Sequence, residues 1–299
     1  MKILLLGKDG QLGRALGRSL APLGELLALG RDSGLDLADP ASLQRAVRQA
    51  DPDVIVNAAA FTDVDRAEAE PGLAMRVNAE APGLLAREMR ARRGWLVHYS
   101  SDYVYDGAGQ AFRAEDSPAA PLNRYGQSKL AGDEAVGRSG AHHLLLRTSW
   151  VYGPHGGNFA RGVLRLAARH EVLRMVDDQV GAPTSADLVA DVTALALRQA
   201  REQPSVSGLY HLAAAGQVSR HGYAQYLIDQ ARRLGWPLAV RAVHAISSAD
   251  YPLPAARPLN SRLDCERLQA VFRLRLPDWR AGVDRLLSDW RASPWGPEA

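Results

Sequence analysis
The chain predicts an α/β protein: a doubly wound parallel sheet followed by a smaller C-terminal lobe. Two observations carry this. The first half alternates short apolar runs with helical segments, the βαβα pattern of a parallel sheet with right-handed crossovers. The first run, residues 3–6, ends in a turn with three glycines, Gly7-Lys-Asp-Gly10-Gln-Leu-Gly13, before a helix at 11–20.

Each element has its own signal. Residues 25–29 read as a second strand. Asp39-Pro40 is a helix start, with Asp as N-cap and Pro at the first position, and that helix runs to about residue 50. Strands are expected at 53–57, 95–100 and 142–148. Between them lie a long helical stretch, 65–92, interrupted near Pro71-Gly72, and a helix carrying Tyr125 and Lys129. After Tyr152-Gly-Pro154 the character changes. Helices at 158–169, 186–201, 220–234 and 279–291 alternate with strand candidates at 173–176, 208–212 and 238–242. Residues 1–152 are therefore the expected nucleotide-binding domain. Residues 153–292 are mainly the second lobe, with some segments returning to the main sheet, and 293–299 are a tail.

Bulk properties exclude several classes of function. A chain of 299 residues, 46% hydrophobic and 23% charged, fits an ordinary globular protein. The net charge of +3 comes without a basic block, so no nucleic-acid partner is expected. The single cysteine, Cys265, rules out an intrachain disulfide and suits a reducing compartment. No apolar run approaches a membrane span or a signal-peptide core, so the expected location is the cytoplasm, with no membrane partner.

Glycines after the first strand let the backbone approach a pyrophosphate at a helix N-terminus. Gly7, Gly10, Gln11, Leu12 and Gly13 are the candidate phosphate contacts of a Rossmann-type dinucleotide site. The second strand ends Leu29-Gly30-Arg31-Asp32. Arg31 can pair with a 2′-phosphate in a charge-assisted contact worth ~1.5–3 kcal/mol, while Asp32 suits a free 2′-hydroxyl. NADPH is the expected cofactor, with NADH as the alternative. Asp36 and Leu37 are placed to flank the adenine. At the end of the third strand Ala59, Ala60 and Phe61 let the cofactor lie against backbone, and Thr62 can bond its phosphate or ribose.

Tyr125 and Lys129 are four residues apart, which puts both on one face of a helix. An ammonium beside a phenol makes the phenol a stronger acid. The hydroxyl of Ser101 can hold a substrate oxygen next to it. These three residues are a kit for moving a proton on or off an alcohol or ketone oxygen.

Together these motifs resemble the extended short-chain dehydrogenase/reductases, whose glycine turn has this spacing. Within them, the resemblance is to the dTDP-4-dehydrorhamnose reductase family. It is carried by His98-Tyr-Ser-Ser-Asp-Tyr-Val-Tyr-Asp-Gly107, Pro121-Leu-Asn-Arg-Tyr-Gly-Gln-Ser-Lys-Leu-Ala-Gly132 and Arg147-Thr-Ser-Trp-Val-Tyr-Gly153. Gly157-Asn-Phe159, Asp178-Gln-Val-Gly-Ala-Pro-Thr184 and Arg257-Pro-Leu-Asn-Ser-Arg-Leu263 add to it. The resemblance implies NAD(P)H-dependent reduction of the C4 ketone of dTDP-6-deoxy-L-lyxo-4-hexulose to dTDP-L-rhamnose. It implies that Tyr125 donates the proton, that Lys129 holds the nicotinamide ribose and acidifies Tyr125, and that Ser101 bonds the ketone oxygen. Asp102 and Trp150 would help hold the sugar nucleotide, and Tyr99 would lie near the cofactor. Some members bind Mg²⁺ through a C-terminal acidic residue at a dimer contact. The ending Pro294-Trp-Gly-Pro-Glu-Ala299 offers no match, so no metal and a monomer or weak homodimer are expected.

Two rival readings share the fold: a nucleotide-sugar epimerase or dehydratase, which Asp102 keeps open, and a non-catalytic regulatory subunit. Among the weaker signals, His142-His143 reads as a structural pair on a buried strand. Arg161, Arg165 and Arg169 read as a solvated helix face. Arg257 and Asn260 divide between substrate phosphate and lobe interface.

Overall fold
The computed structural model describes residues 1–292; the expected tail, 293–299, lies outside the described residues. β1 (Lys2–Leu6), β2 (Glu25–Leu29), β3 (Val54–Asn57), β4 (Trp95–Ser101) and β5 (His142–Thr148) follow in the expected order. With strand Gly208–His211 they form one six-stranded parallel sheet. Its order is Gly208–His211, β5, β4, β3, β1, β2. The chain builds outward from β1 to β2, then crosses back to β3. This reversal between β1 and β3 opens a crevice at the carboxyl ends of those strands.

Both faces of the sheet are covered, which is why β1 reads as continuous Ile and Leu rather than as alternation. Ile3, Leu5, Val97, Leu144 and Leu146 pack beneath α1 (Gln11–Leu20) and helix Ala186–Glu202, against Leu16, Leu20 and Val189. Leu4, Ile55, Leu96 and Leu145 face α2 (Pro40–Ala50) and α5 (Ala81–Arg92), against Leu43, Val47, Leu85 and Met89. The Asp39 carboxylate caps α2 by accepting from the Ala41 amide at 2.9 Å.

The expected long helix at 65–92 is broken into pieces. α3 (Val64–Ala69) and α4 (Pro71–Met75) precede a wide π turn, Arg76–Glu80, that leads into α5. Pro71 starts α4 because its missing N–H costs nothing there. The π turn carries Asn78 into the interior, where it bonds a loop described below.

Beyond residue 150 a second core forms around Tyr152, Leu164, Tyr223, Leu227, Trp279, Val283 and Trp290. It joins helices Phe159–Arg169, Arg220–Arg233 and Trp279–Arg291 to the parallel pair Val172–Val176 and Ala242–Ile246. The last strand corrects the expected 238–242. Register with Val172 begins only at Ala242, while the Val240 amide donates to the carbonyl of Ala167 in the last turn of helix Phe159–Arg169 and the Arg241 amide to that of Glu171 in the loop after it. A short helix, Glu266–Phe272, carries no strong sequence signal and was not expected.

Two side-chain expectations are also corrected. Arg161 is buried, not solvated: Nη2 donates to the Pro154 carbonyl at 2.8 Å and the guanidinium stacks over Trp290. His142 is exposed at the first paired position of β5, where it stacks on its register partner Trp95; His143 is half-buried. No helix among the described residues is long and apolar enough to cross a membrane.

Leu146, fully buried at the middle of β5, reports on the main core. Leu146→Ala is expected to lower unfolding free energy by about 2–5 kcal/mol, measured by urea denaturation. Leu122→Ala, at a 46% exposed position, is expected to change it by less than about 0.5 kcal/mol.

Candidate active site
The crevice begins at the glycine turn. Gly7 has φ +87°, and a Cβ there would sit 2.7 Å from the Ala59 amide nitrogen. A Cβ on Gly13 would lie 1.9 Å from the Gly7 carbonyl oxygen. The turn therefore folds flat against the end of β3 only with glycine at both positions. Gly10 is the N-cap of α1 and offers no side chain, which leaves first-turn N–H groups free for an anion. Leu12 is half-buried against the core. The Gln11 side chain reaches the second half of the chain, where Oε1 accepts from the Gly153 amide at 2.8 Å and from Asn158 Nδ2 at 3.0 Å.

At the outer rim, Arg31 is exposed in the turn after β2. Asp32, the residue that obscured cofactor choice in the sequence, is paired with Lys8 at 2.7 Å. That pair is exposed and adds little stability, but it neutralises the carboxylate beside Arg31. Asp36 is exposed and its carboxylate caps the Ala38 amide at 2.8 Å, with Leu37 half-buried next to it.

Ala59 and Ala60 are half-buried, Phe61 is buried and Thr62 is exposed. This loop is pinned by Asn78, which the sequence did not single out. Its side chain accepts from the Phe61 amide and donates to the Phe61 carbonyl, both at 2.9 Å. Asn78 also donates to Ser128 Oγ at 3.0 Å, tying the loop to α6 (Arg124–Arg138). A buried asparagine after a proline-started helix is the signal that could have found it.

α6 starts at Asn123, whose side chain accepts from the Gly126 amide at 2.8 Å. Two glycines let this helix approach closely. A Cβ on Gly126 would stand 2.2 Å from the Tyr103 carbonyl oxygen, and one on Gly132 would stand 2.1 Å from that of Asn78. Tyr125 and Lys129 lie one turn apart on the face so presented. Lys129 is buried, and its Nζ donates to the Tyr99 carbonyl at 2.6 Å. Burial pulls its pKa down to about 8 while Asp133 draws it up. The Tyr99 side chain turns to the opposite face and bonds Thr193 at 2.9 Å.

Ser101 ends β4 and faces the Tyr125 phenol. Burial pushes that phenol well above its ordinary value, with the Ser101 hydroxyl opposing. Desolvation is the largest influence on this phenol, which moves the opposite way to the expected acidification and is protonated at neutral pH. Ser101 Oγ also donates to Asp102 at 2.9 Å. Asp102 is buried, and desolvation raises its pKa to about 6, with Ser261, Ser101 and Arg220 drawing it back. Its Oδ2 has no hydrogen-bond partner among the described residues.

The facing wall comes from the second half of the chain. Trp150 adopts φ +48°, and the Arg220 guanidinium stacks 3.6 Å from its ring centroid. Arg220 also lies over Phe159, and its charge acts on Asp102 and Tyr103. Sequence reasoning missed Arg220, because only the fold brings it to Trp150. Arg257 bonds Asp65 at 2.7 Å, and Asn260 donates to the Ala111 carbonyl at 2.8 Å, so both join chain segments. No cluster of His, Cys, Asp and Glu suited to a metal ion occurs among the described residues.

The arrangement presents a hydroxyl, a protonated phenol and a buried ammonium between a glycine turn and a polar, aromatic wall. The family model for the RmlD substrate binding domain matches residues 1–292. A Shigella flexneri dTDP-4-dehydrorhamnose reductase is 48% identical, covering 97% of this chain and 98% of that one. The dTDP-4-dehydrorhamnose reductase structure from Clostridium acetobutylicum superposes with TM-score 0.87 at 28% identity, covering 97% of this chain and 100% of the other. The Bacillus anthracis dTDP-4-dehydrorhamnose reductase, solved in complex with NADP, gives TM-score 0.86 at 30% identity with the same coverage. The chain belongs to the RmlD substrate binding domain family, to which its dTDP-4-dehydrorhamnose reductase relatives bind it along nearly its whole length.

Proposed function
We propose that this protein reduces the C4 ketone of dTDP-6-deoxy-L-lyxo-4-hexulose with NADPH, giving dTDP-L-rhamnose, in the cytoplasm as a monomer or weak dimer. The observation that carries the reading is the convergence of Ser101, Tyr125 and Lys129 beside a flat glycine turn. The turn suits a dinucleotide: side chains are excluded at Gly7 and Gly13, and the α1 N-terminus is left uncapped. Arg31, with Asp32 neutralised by Lys8, favours a 2′-phosphate. Asp36, Leu37, Ala59, Ala60, Phe61 and Thr62 line the path from that rim inward. A bound reduced nicotinamide supplies the hydride.

The chain's own residues manage the oxygen. With substrate bound, the single Ser101 proton turns from Asp102 to the ketone oxygen, and together with the Tyr125 phenol it polarises that oxygen. As charge develops there, Tyr125 gives up its proton and the product is the alcohol. Burial helps rather than hinders, since reduction needs the phenol protonated at the start. Lys129, with one N–H on the Tyr99 carbonyl, has two left for the nicotinamide ribose and for stabilising the phenolate that forms. Asp102 Oδ2, buried and unpartnered, accepts a sugar hydroxyl, and Trp150 with Arg220 walls the sugar nucleotide.

The direct test is NADPH oxidation with the dTDP-4-keto sugar and identification of the product sugar; absence of turnover would overturn the proposal. Tyr125→Phe and Lys129→Ala are each expected to lower kcat by at least ~10²-fold. Arg31→Ala is expected to lower kcat/KM for NADPH roughly tenfold or more and to leave that for NADH nearly unchanged. The pH profile of kcat/KM is expected to be a bell. Lys129 loses its charge as pH rises through about 8, and Asp102 loses its acceptor character as pH falls through about 6. A profile flat across both values would refute these assignments.

A further inference from the structure
Asp133 lies one turn beyond Lys129, so Tyr125, Lys129 and Asp133 form a line at four-residue intervals on the buried face of α6. Lys129 is 2% exposed and Asp133 is 7% exposed. One carboxylate oxygen accepts from Arg147 Nε at 2.9 Å; the other, Oδ1, is buried with no hydrogen-bond partner among the described residues. Behind Arg147 the polar chain continues. Its Nη1 donates to the Tyr105 hydroxyl at 2.8 Å, and that hydroxyl lies 2.7 Å from His211 Nε2. His211 Nδ1 is 3.0 Å from the Asp264 carbonyl oxygen. Burial keeps His211 neutral, with its pKa near 3.

An ion pair sunk this deep costs desolvation that its own attraction seldom repays, so it is weak evidence of a stabilising role alone. Its position points to another use. The groups acting on Lys129 are the Tyr99 carbonyl and the neutral His98 on β4, and Asp133, with Tyr125 one turn before it on the same face of α6. Arg147 on β5 stands behind Asp133. Among the described residues, Asp133 is the carboxylate whose charge acts on the Lys129 ammonium.

We infer that Asp133 is a positioning residue: clamped by Arg147 one helical turn beyond Lys129, its carboxylate holds Lys129 as an ammonium in its buried seat on the Tyr99 carbonyl. Asp133 does not touch the substrate; it acts through Lys129, and its charge also reaches the Tyr125 phenol, which it raises slightly. The inference rests on the role proposed for Lys129 above.

Two variants and two readouts test it. Asp133→Asn keeps the shape and removes the charge, while Asp133→Glu keeps the charge. The readouts are the pH profile of kcat/KM and the pH dependence of the NADPH Kd, followed by nucleotide fluorescence without sugar. Asp133→Asn is expected to move the basic limb of both to lower pH by about one unit, and Asp133→Glu to leave it near the wild-type position. A folded Asp133→Asn protein with wild-type limbs would overturn the inference. So would a loss of activity that is equal at every pH and is not rescued by glutamate. If Asp133→Asn does not fold, the double variant Asp133→Asn with Arg147→Gln, which removes both charges of the buried pair, decides: a basic limb moved to lower pH supports the inference and a wild-type limb overturns it. The NADPH titration needs no sugar, so it separates failure of this inference from failure of the proposed reaction.

Discussion

The docking of α6 onto the end of β4 is the constraint on which the rest of the site depends. It is held by the hydrogen bond from Lys129 to the Tyr99 carbonyl and made feasible by Gly126 and Gly132. Any side chain at either glycine would collide with backbone, and the helix would stand off. Tyr125 would then lose Ser101, and Lys129 would lose both its carbonyl and its burial. The sheet contributes by fixing β4 between β3 and β5, so that Ser101 and the Tyr99 carbonyl have a rigid mount.

One physical cause, desolvation, acts on three groups here with different consequences. It raises the Tyr125 phenol, lowers Lys129 and raises Asp102. In each case the charged form becomes dearer, which keeps the phenol a donor. It also brings the ammonium and the carboxylate near their titration points. Such groups in a cleft fit proton chemistry better than a structural ion-pair network. The counterweight is local: Ser101 opposes burial at Tyr125, Asp133 at Lys129, and Ser261 at Asp102.

Much of this was legible in the sequence because it is local. The glycine spacing, the Asp39-Pro40 cap, the apolar strands and the four-residue offset of Tyr125 and Lys129 each express a short-range rule of backbone geometry. What escaped notice depends on distant partners. Asn78 and Lys8 acquire meaning only when the fold brings Phe61 and Asp32 to them. Arg161 looked solvated because helical periodicity cannot announce Trp290, more than a hundred residues later. The strand at Ala242–Ile246 began later than its apolar pattern suggested, since pairing with Val172 decides its register. The dominance of burial at Tyr125 also cannot be read from a motif, because a motif does not state its depth.

Gln11 belongs to both halves of the molecule. Its backbone is part of the first turn of α1, while its side chain holds Gly153 and Asn158 at the mouth of the second lobe. The side chain therefore ties the start of α1 to the loop at Gly153, so the glycine turn and the far wall of the crevice share one fixed spacing. A substitution at this one amide would be felt on both sides of the crevice at once.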